Sequence, residues 1–153
     1  MFRRKVLDPL LNQLKQGVTP GRLALALALG LVIGSLPMLF ISSAICAVVA
    51  YFFRLNQPAI QVANYVAYPV QLALFVPFFK AGAAMFGEPS SQISMEQISS
   101  AFSADASKAV GTYAGANLRA VSVWAVVAPI AVIAIFFALK FILSRVRLPA
   151  REA

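Results

Sequence analysis

Apolar positions along the chain gather into three long runs, residues 23–53, 58–87 and 120–139, with polar segments before, between and after them. The first run holds 31 residues without a charge between Arg22 and Arg54 and is interrupted once, at Gly34-Ser35-Leu36-Pro37. As one straight helix it would measure roughly 46 Å, against a hydrocarbon core of about 30 Å. The interruption predicts two short arms folded back on each other, a re-entrant pair, in preference to one strongly tilted rod. In the first arm Gly30 and Gly34 stand four apart, the small-residue spacing that lets another helix approach closely. The second arm has Pro37 at a first-turn position and ends in Tyr51-Phe52-Phe53-Arg54, an aromatic and basic cluster suited to a membrane interface.

The second run is broken near its middle by Tyr68-Pro69 and carries amides that the first lacks. Residues Gln57, Gln61, Asn64, Tyr68 and Gln71 fall on one stripe of a helix. An unpaired amide is expensive in hydrocarbon, so the stripe must face protein or water. The third run, with Trp124 toward one end, Pro129 inside and Lys140 and Arg145 closing it, reads as a plain membrane-spanning helix. In the Ser-rich connection, Ser94 followed by Gln97 resembles a capping box, and Ile98, Ala101 and Phe102 give a short amphipathic helix outside the membrane. Near the start, Val6, Leu7, Leu10, Leu11 and Leu14 form an apolar stripe between basic residues, an amphipathic helix that lies on headgroups or packs on the rest of the protein.

The pattern describes an all-α integral membrane protein: a broken, re-entrant helix pair, two membrane-spanning helices, an N-terminal amphipathic helix and a short extramembrane helix. It divides the chain into 1–18 (interfacial helix), 19–87 (broken-helix core), 88–118 (polar connection) and 119–153 (C-terminal span and basic tail).

Composition agrees, since 61% of the 153 residues are hydrophobic, above the range of soluble domains. The net charge of +8 changes the picture only through its placement. Arg3, Arg4, Lys5, Lys15 and Arg22 precede the first run and Arg145, Arg147 and Arg151 follow the last, as positive-inside topology selects. Nucleic acid is therefore not the expected partner. Both termini belong on the cytoplasmic side, which requires an even number of crossings. A re-entrant first run followed by two crossings meets that requirement and keeps Arg54 inside; a re-entrant second run meets it with Arg54 outside. Arg3-Arg4-Lys5 is followed only by Val6-Leu7 before Asp8-Pro9, too little for a secretory signal. Cys46, the single cysteine, allows no internal disulfide.

Histidine is missing, and every acid (Asp8, Glu88, Glu96, Asp105, Glu152) lies outside the apolar runs. No metal site, cofactor, catalytic residue or enzymatic activity is expected from such an inventory. The polar groups left to bind something are Arg54, Asn56, Gln61, Asn64 and Gln71, together with backbone freed at the helix breaks Gly34, Pro37, Tyr68 and Pro69. Unpaired N–H groups at half-helix ends, with an arginine, suit an anionic headgroup. Two functions follow: binding or translocation of an amphipathic, lipid-phosphate-like anion, or a non-transporting scaffold or accessory subunit in which the same residues serve packing. Membrane lipids, and a homo-oligomer or larger assembly, are the expected partners.

Gly30, Gly34 and Pro37, then Arg54-Leu55-Asn56-Gln57-Pro58, then Tyr68-Pro69, resemble the bacterial membrane family called domain of unknown function 2062, over about Thr19 to Gly87. The chain departs from the family pattern at Tyr68, where many members have Asn, and at Phe40, where many have Gly. The resemblance implies a small protein of the bacterial inner membrane and, through relatives joined to glycosyltransferase domains, lipid-linked substrates. The paired broken helices also look like those of DedA-class lipid scramblase-type proteins.

Overall fold

The computed structural model describes residues 19–38, 41–87 and 94–145, and all regular structure among them is helical. The N-terminal amphipathic helix and the basic tail expected from the sequence lie outside these residues. The helices are α1 (Pro20–Gly34), α2 (Ser42–Phe52), α3 (Gln57–Val66), α4 (Tyr68–Met85), α5 (Met95–Ala104) and α6 (Ala106–Arg145).

α1 starts where Thr19 Oγ1 accepts the Arg22 N–H at 3.4 Å and Pro20 occupies the first turn, where its missing donor is no loss. Its Ala- and Leu-rich interior needs no other encouragement, and it stops at Gly34, ahead of Pro37. The first apolar run does double back, as a chain of contacts shows. A Cβ on Gly30 would lie 2.7 Å from Ala63 Cβ, and one on Gly34 would lie 2.7 Å from Ala67 Cβ. The paired numbers rise together, so α1 and α3 run the same way. Between α2 and α3 they run oppositely: Gln57 meets Ala47 and Gln61 meets Ser43. Hence α2 is antiparallel to α1. Leu23, Ala26, Cys46, Ala50, Leu55 and Ile60 fill the core among the three helices.

At Ala67 the chain bends by 57° between α3 and α4. Pro69 sets this break, because a proline so early in α4 can donate no hydrogen bond back into α3. α4 then crosses α6 closely, with a Gly82 Cβ position 2.9 Å from Ala120 N. Phe75 and Phe79, stacked at 4.7 Å, join Ile98 of α5 and Ala120 in a second core. α5 begins as its sequence predicts, with Ser94 Oγ accepting the Gln97 N–H at 3.3 Å.

α6 is 40 residues long and starts at Ala106, so the helix continues through residues 106–118, assigned from the sequence to the polar connection. Asp105 starts it, accepting from the backbone of Ser107 at 3.1 Å and of Lys108 at 3.2 Å. Hydrogen bonds from the Ser107 hydroxyl and the Lys108 N–H hold its carboxyl below the usual 3.8. An 18-residue window of α6 has a mean hydropathy of 2.7 and is only 6% buried, long and apolar enough to cross a membrane. The bent α3–α4 pair meets the same measure as one unit.

Candidate functional site

The break between α1 and α2 frees backbone carbonyls that a regular helix would pair. Four side chains reach them. Ser35 Oγ donates to Val32 O at 2.7 Å, and Trp124 Nε1 lies 3.3 Å from both Val32 O and Ser35 Oγ. Gln71 Nε2 donates to Leu36 O at 2.7 Å and to Met38 O at 3.2 Å, while Asn117 Nδ2 donates to Pro37 O at 2.8 Å. Irregular backbone among apolar helices is tolerable only with such partners, and here the chain supplies them itself. Of these donors only Gln71 stood out in the sequence. Trp124 reads there as an interface aromatic, and Asn117 carries no pattern at all.

The remaining amides do the same for α2. Gln57 Nε2 donates to Ala47 O at 2.9 Å, Gln61 Nε2 to Ser43 O at 3.0 Å and Asn64 Nδ2 to Ser43 Oγ at 2.9 Å. The amides of the stripe therefore face protein, with their NH2 ends spent on the hairpin, while Tyr68 is 49% exposed. Asn56 serves a different end: its Oδ1 accepts the Ala59 N–H at 2.9 Å and caps α3, with Pro58 in the first turn.

Arg54 occupies an unusual backbone position. α2 closes with Leu55 N–H bonded to Ala50 O at 2.8 Å and Arg54 N–H to Tyr51 O at 3.3 Å, the paired bonds of a Schellman cap. The residue just past such a cap is left-handed and usually glycine; here it is Arg54, with φ +51°. A side chain in that region costs about 1–2 kcal/mol. Its guanidinium is exposed and has no ion pair or hydrogen bond among the described residues. It borders an open cavity of about 590 Å³ with Tyr51, Phe52 and Gln57. Tyr51, Phe52 and Phe53 are 77%, 75% and 62% exposed.

Other cations collect at the same end. α6 runs antiparallel to α1, since Asn117 meets Pro37 and Trp124 meets Val32. Leu143 then packs on the core that contains Leu23 and Leu55, bringing Arg145 to the end that holds Arg22 and Arg54. The described acids, Glu96 and Asp105, belong to α5 and the start of α6, whose length of roughly 60 Å separates them from Arg145.

The five residues singled out from the sequence thus form two groups. Arg54 and Asn56 belong to the α2–α3 turn. Asn64 and Gln71 line a second cavity of about 540 Å³ with Ser42, Ser43, Tyr65 and Tyr68, and Gln61 is tied to the same Ser43. Arg54 and Asn64 stand ten residues apart, roughly 15 Å of helix. Of the breaks, Gly34 and Pro37 lie in the hairpin turn and Tyr68 and Pro69 at the α3–α4 bend. No cluster of three metal-ligating side chains occurs among the described residues.

A family profile described as an uncharacterized protein conserved in bacteria, DUF2062, matches residues 2–151. No curated protein and no solved structure matches the chain.

Proposed function

The chain belongs to the bacterial family DUF2062, and from that premise we propose that it is an inner-membrane protein whose α2–α3 turn binds the anionic headgroup of a phosphate-bearing amphiphile. The observation that carries this reading is Arg54, a cation kept at a backbone position where glycine would be cheaper, with no ion pair among the described residues. The exposed Tyr51, Phe52 and Phe53 beside it offer acyl chains an apolar rim, and Arg22 and Arg145 raise the positive potential of that end.

Membrane insertion rests on the scarcely buried apolar window of α6, which a helix inside a soluble core would cover. In the arrangement proposed, α1 and α2 enter and leave on the cytoplasmic side, α3–α4 crosses outward and α6 returns. Both termini and the arginines then share the cytoplasmic side, in accord with positive-inside selection. Because the break finds its hydrogen-bond partners within the chain, it does not call for a second copy.

A scaffold function is the second reading, favoured by one observation: each of the amides Gln57, Gln61, Asn64 and Gln71 spends its donors on the hairpin. Arg54→Gly separates the two. It relieves the left-handed side chain, so the purified protein should be as stable as wild type or up to about 1 kcal/mol more so. Mass spectrometry of copurifying lipid should show anionic species falling at least fivefold relative to wild type. An unchanged lipid profile in this folded variant would leave the scaffold reading in place.

A further inference from the structure

The second cavity has a chemistry of its own. Gln61 presents its amide in one orientation only, because Ser43 O can accept but never donate. Its Oε1 is consequently the free end, buried without a partner among the described residues. Asn64, 4% exposed, is bonded through one amide atom to Ser43 Oγ and has Oδ1 buried and unpartnered. Turning that amide over would leave its Nδ2 unpartnered instead. Gln71, 2% exposed, gives Nε2 to the carbonyls of Leu36 and Met38. Asn64, in the cavity lining, and Gln61, one turn earlier on α3, thus each keep an amide oxygen with no donor among the described residues. Native interiors seldom leave such groups unpaired, since the hydration lost on burial is then not replaced.

The rest of the lining narrows the ligand. Ser42, Tyr65 and Tyr68 add hydroxyls that can donate or accept, and no charged residue lines the cavity. A phosphate would meet amide oxygens without a cation. An ammonium would leave the hydroxyl donors idle and its own charge uncompensated. Tyr65 and Tyr68, 66% and 49% exposed, supply flat aromatic faces at the rim. A neutral compound with several hydroxyls both gives and takes hydrogen bonds and can rest a ring on an aromatic face. We propose that the cavity between α2 and the α3–α4 bend binds a neutral polyol or sugar group, as a glycolipid headgroup or as a free sugar. This site is separate from the arginine end and does not depend on it.

The test places the full chain in phosphatidylcholine nanodiscs doped with monoglucosyl diacylglycerol, diacylglycerol or phosphatidylethanolamine, and reads retained lipid by native mass spectrometry. Free glucose in undoped nanodiscs, read as a thermal shift, covers the soluble source. The glucosyl lipid should be retained at least about fivefold over diacylglycerol, or glucose should raise the unfolding midpoint. Either effect should persist in Arg54→Gln and fall to about twofold or less in Tyr65→Phe/Tyr68→Phe, which loses two hydroxyls that make no hydrogen bond among the described residues. Equal retention of all three lipids with no glucose shift would mean that water alone fills the cavity and would overturn the proposal. Preference for phosphatidylethanolamine would overturn it in favour of an ammonium site. Loss of copurifying anionic lipid in Arg54→Gln, with glucosyl-lipid retention or the glucose shift intact, would support two separate sites.

Discussion

At the scale of single residues, the hairpin turn is held by a few side-chain donors that replace the missing helical ones. Gln71 has the largest share, because it serves two carbonyls from a nearly water-free position. Gln71→Leu would keep the side-chain volume and strand both acceptors. We expect a loss of about 1–3 kcal/mol, read as a lower unfolding midpoint in detergent. Tyr65→Phe, which removes an exposed hydroxyl at the cavity rim, should stay within about 0.5 kcal/mol of wild type. Similar losses in the two would show that Gln71 has no special part in the turn. The spacing of Gln57, Gln61, Asn64 and Gln71 made the shared face legible, because helical periodicity is local information. Which end of each amide faces inward was not legible, since that depends on carbonyls at 36, 38, 43 and 47 that are brought near only by the fold. Asn117 and Trp124 were missed for the same reason: their partners lie 80 and 92 residues away in sequence.

At the scale of elements, the packing of α1 on α3 depends on two glycines. The Gly30 and Gly34 spacing announced a close helix contact, and α3 is the helix that makes it. A Cβ at Gly34 would stand 2.8 Å from Asn64 O as well as against Ala67 Cβ, so backbone would have to move. Gly34→Ala should cost about 1–3 kcal/mol, whereas Gly21→Ala, at a site with open space, should be neutral or slightly stabilising. Thermal unfolding of the pair in one detergent checks the contrast, and equal midpoints would contradict it. The helix breaks at Gly34–Pro37 and Tyr68-Pro69 could be read from their prolines, which remove a backbone donor, although Pro77 and Pro129 do the same inside the continuous α4 and α6. The start of α6 could not. Residues 106–118 are polar enough to pass for a connection, and their helix depends on the Asp105 cap and on packing of Tyr113 and Ala116 against Phe75, Phe79 and Ile98.

At the scale of the molecule, the order of the helices gathers the cations. Because α2 reverses α1, and α6 reverses it again from the other side, Arg22, Arg54 and Arg145 share one end although 123 residues separate the first from the last. Charge counting suggested this arrangement, and the hairpin supplies the geometric reason for it. The most direct measurement labels single cysteines with a membrane-impermeant maleimide in oriented inner-membrane vesicles, with Cys46→Ser as background. Thr19→Cys, Phe53→Cys and Ser144→Cys should all react from the cytoplasmic face, and Gly111→Cys only from the opposite one. Labelling of positions 19 and 53 from opposite faces would mean that the first apolar run crosses the bilayer once, and would contradict the account.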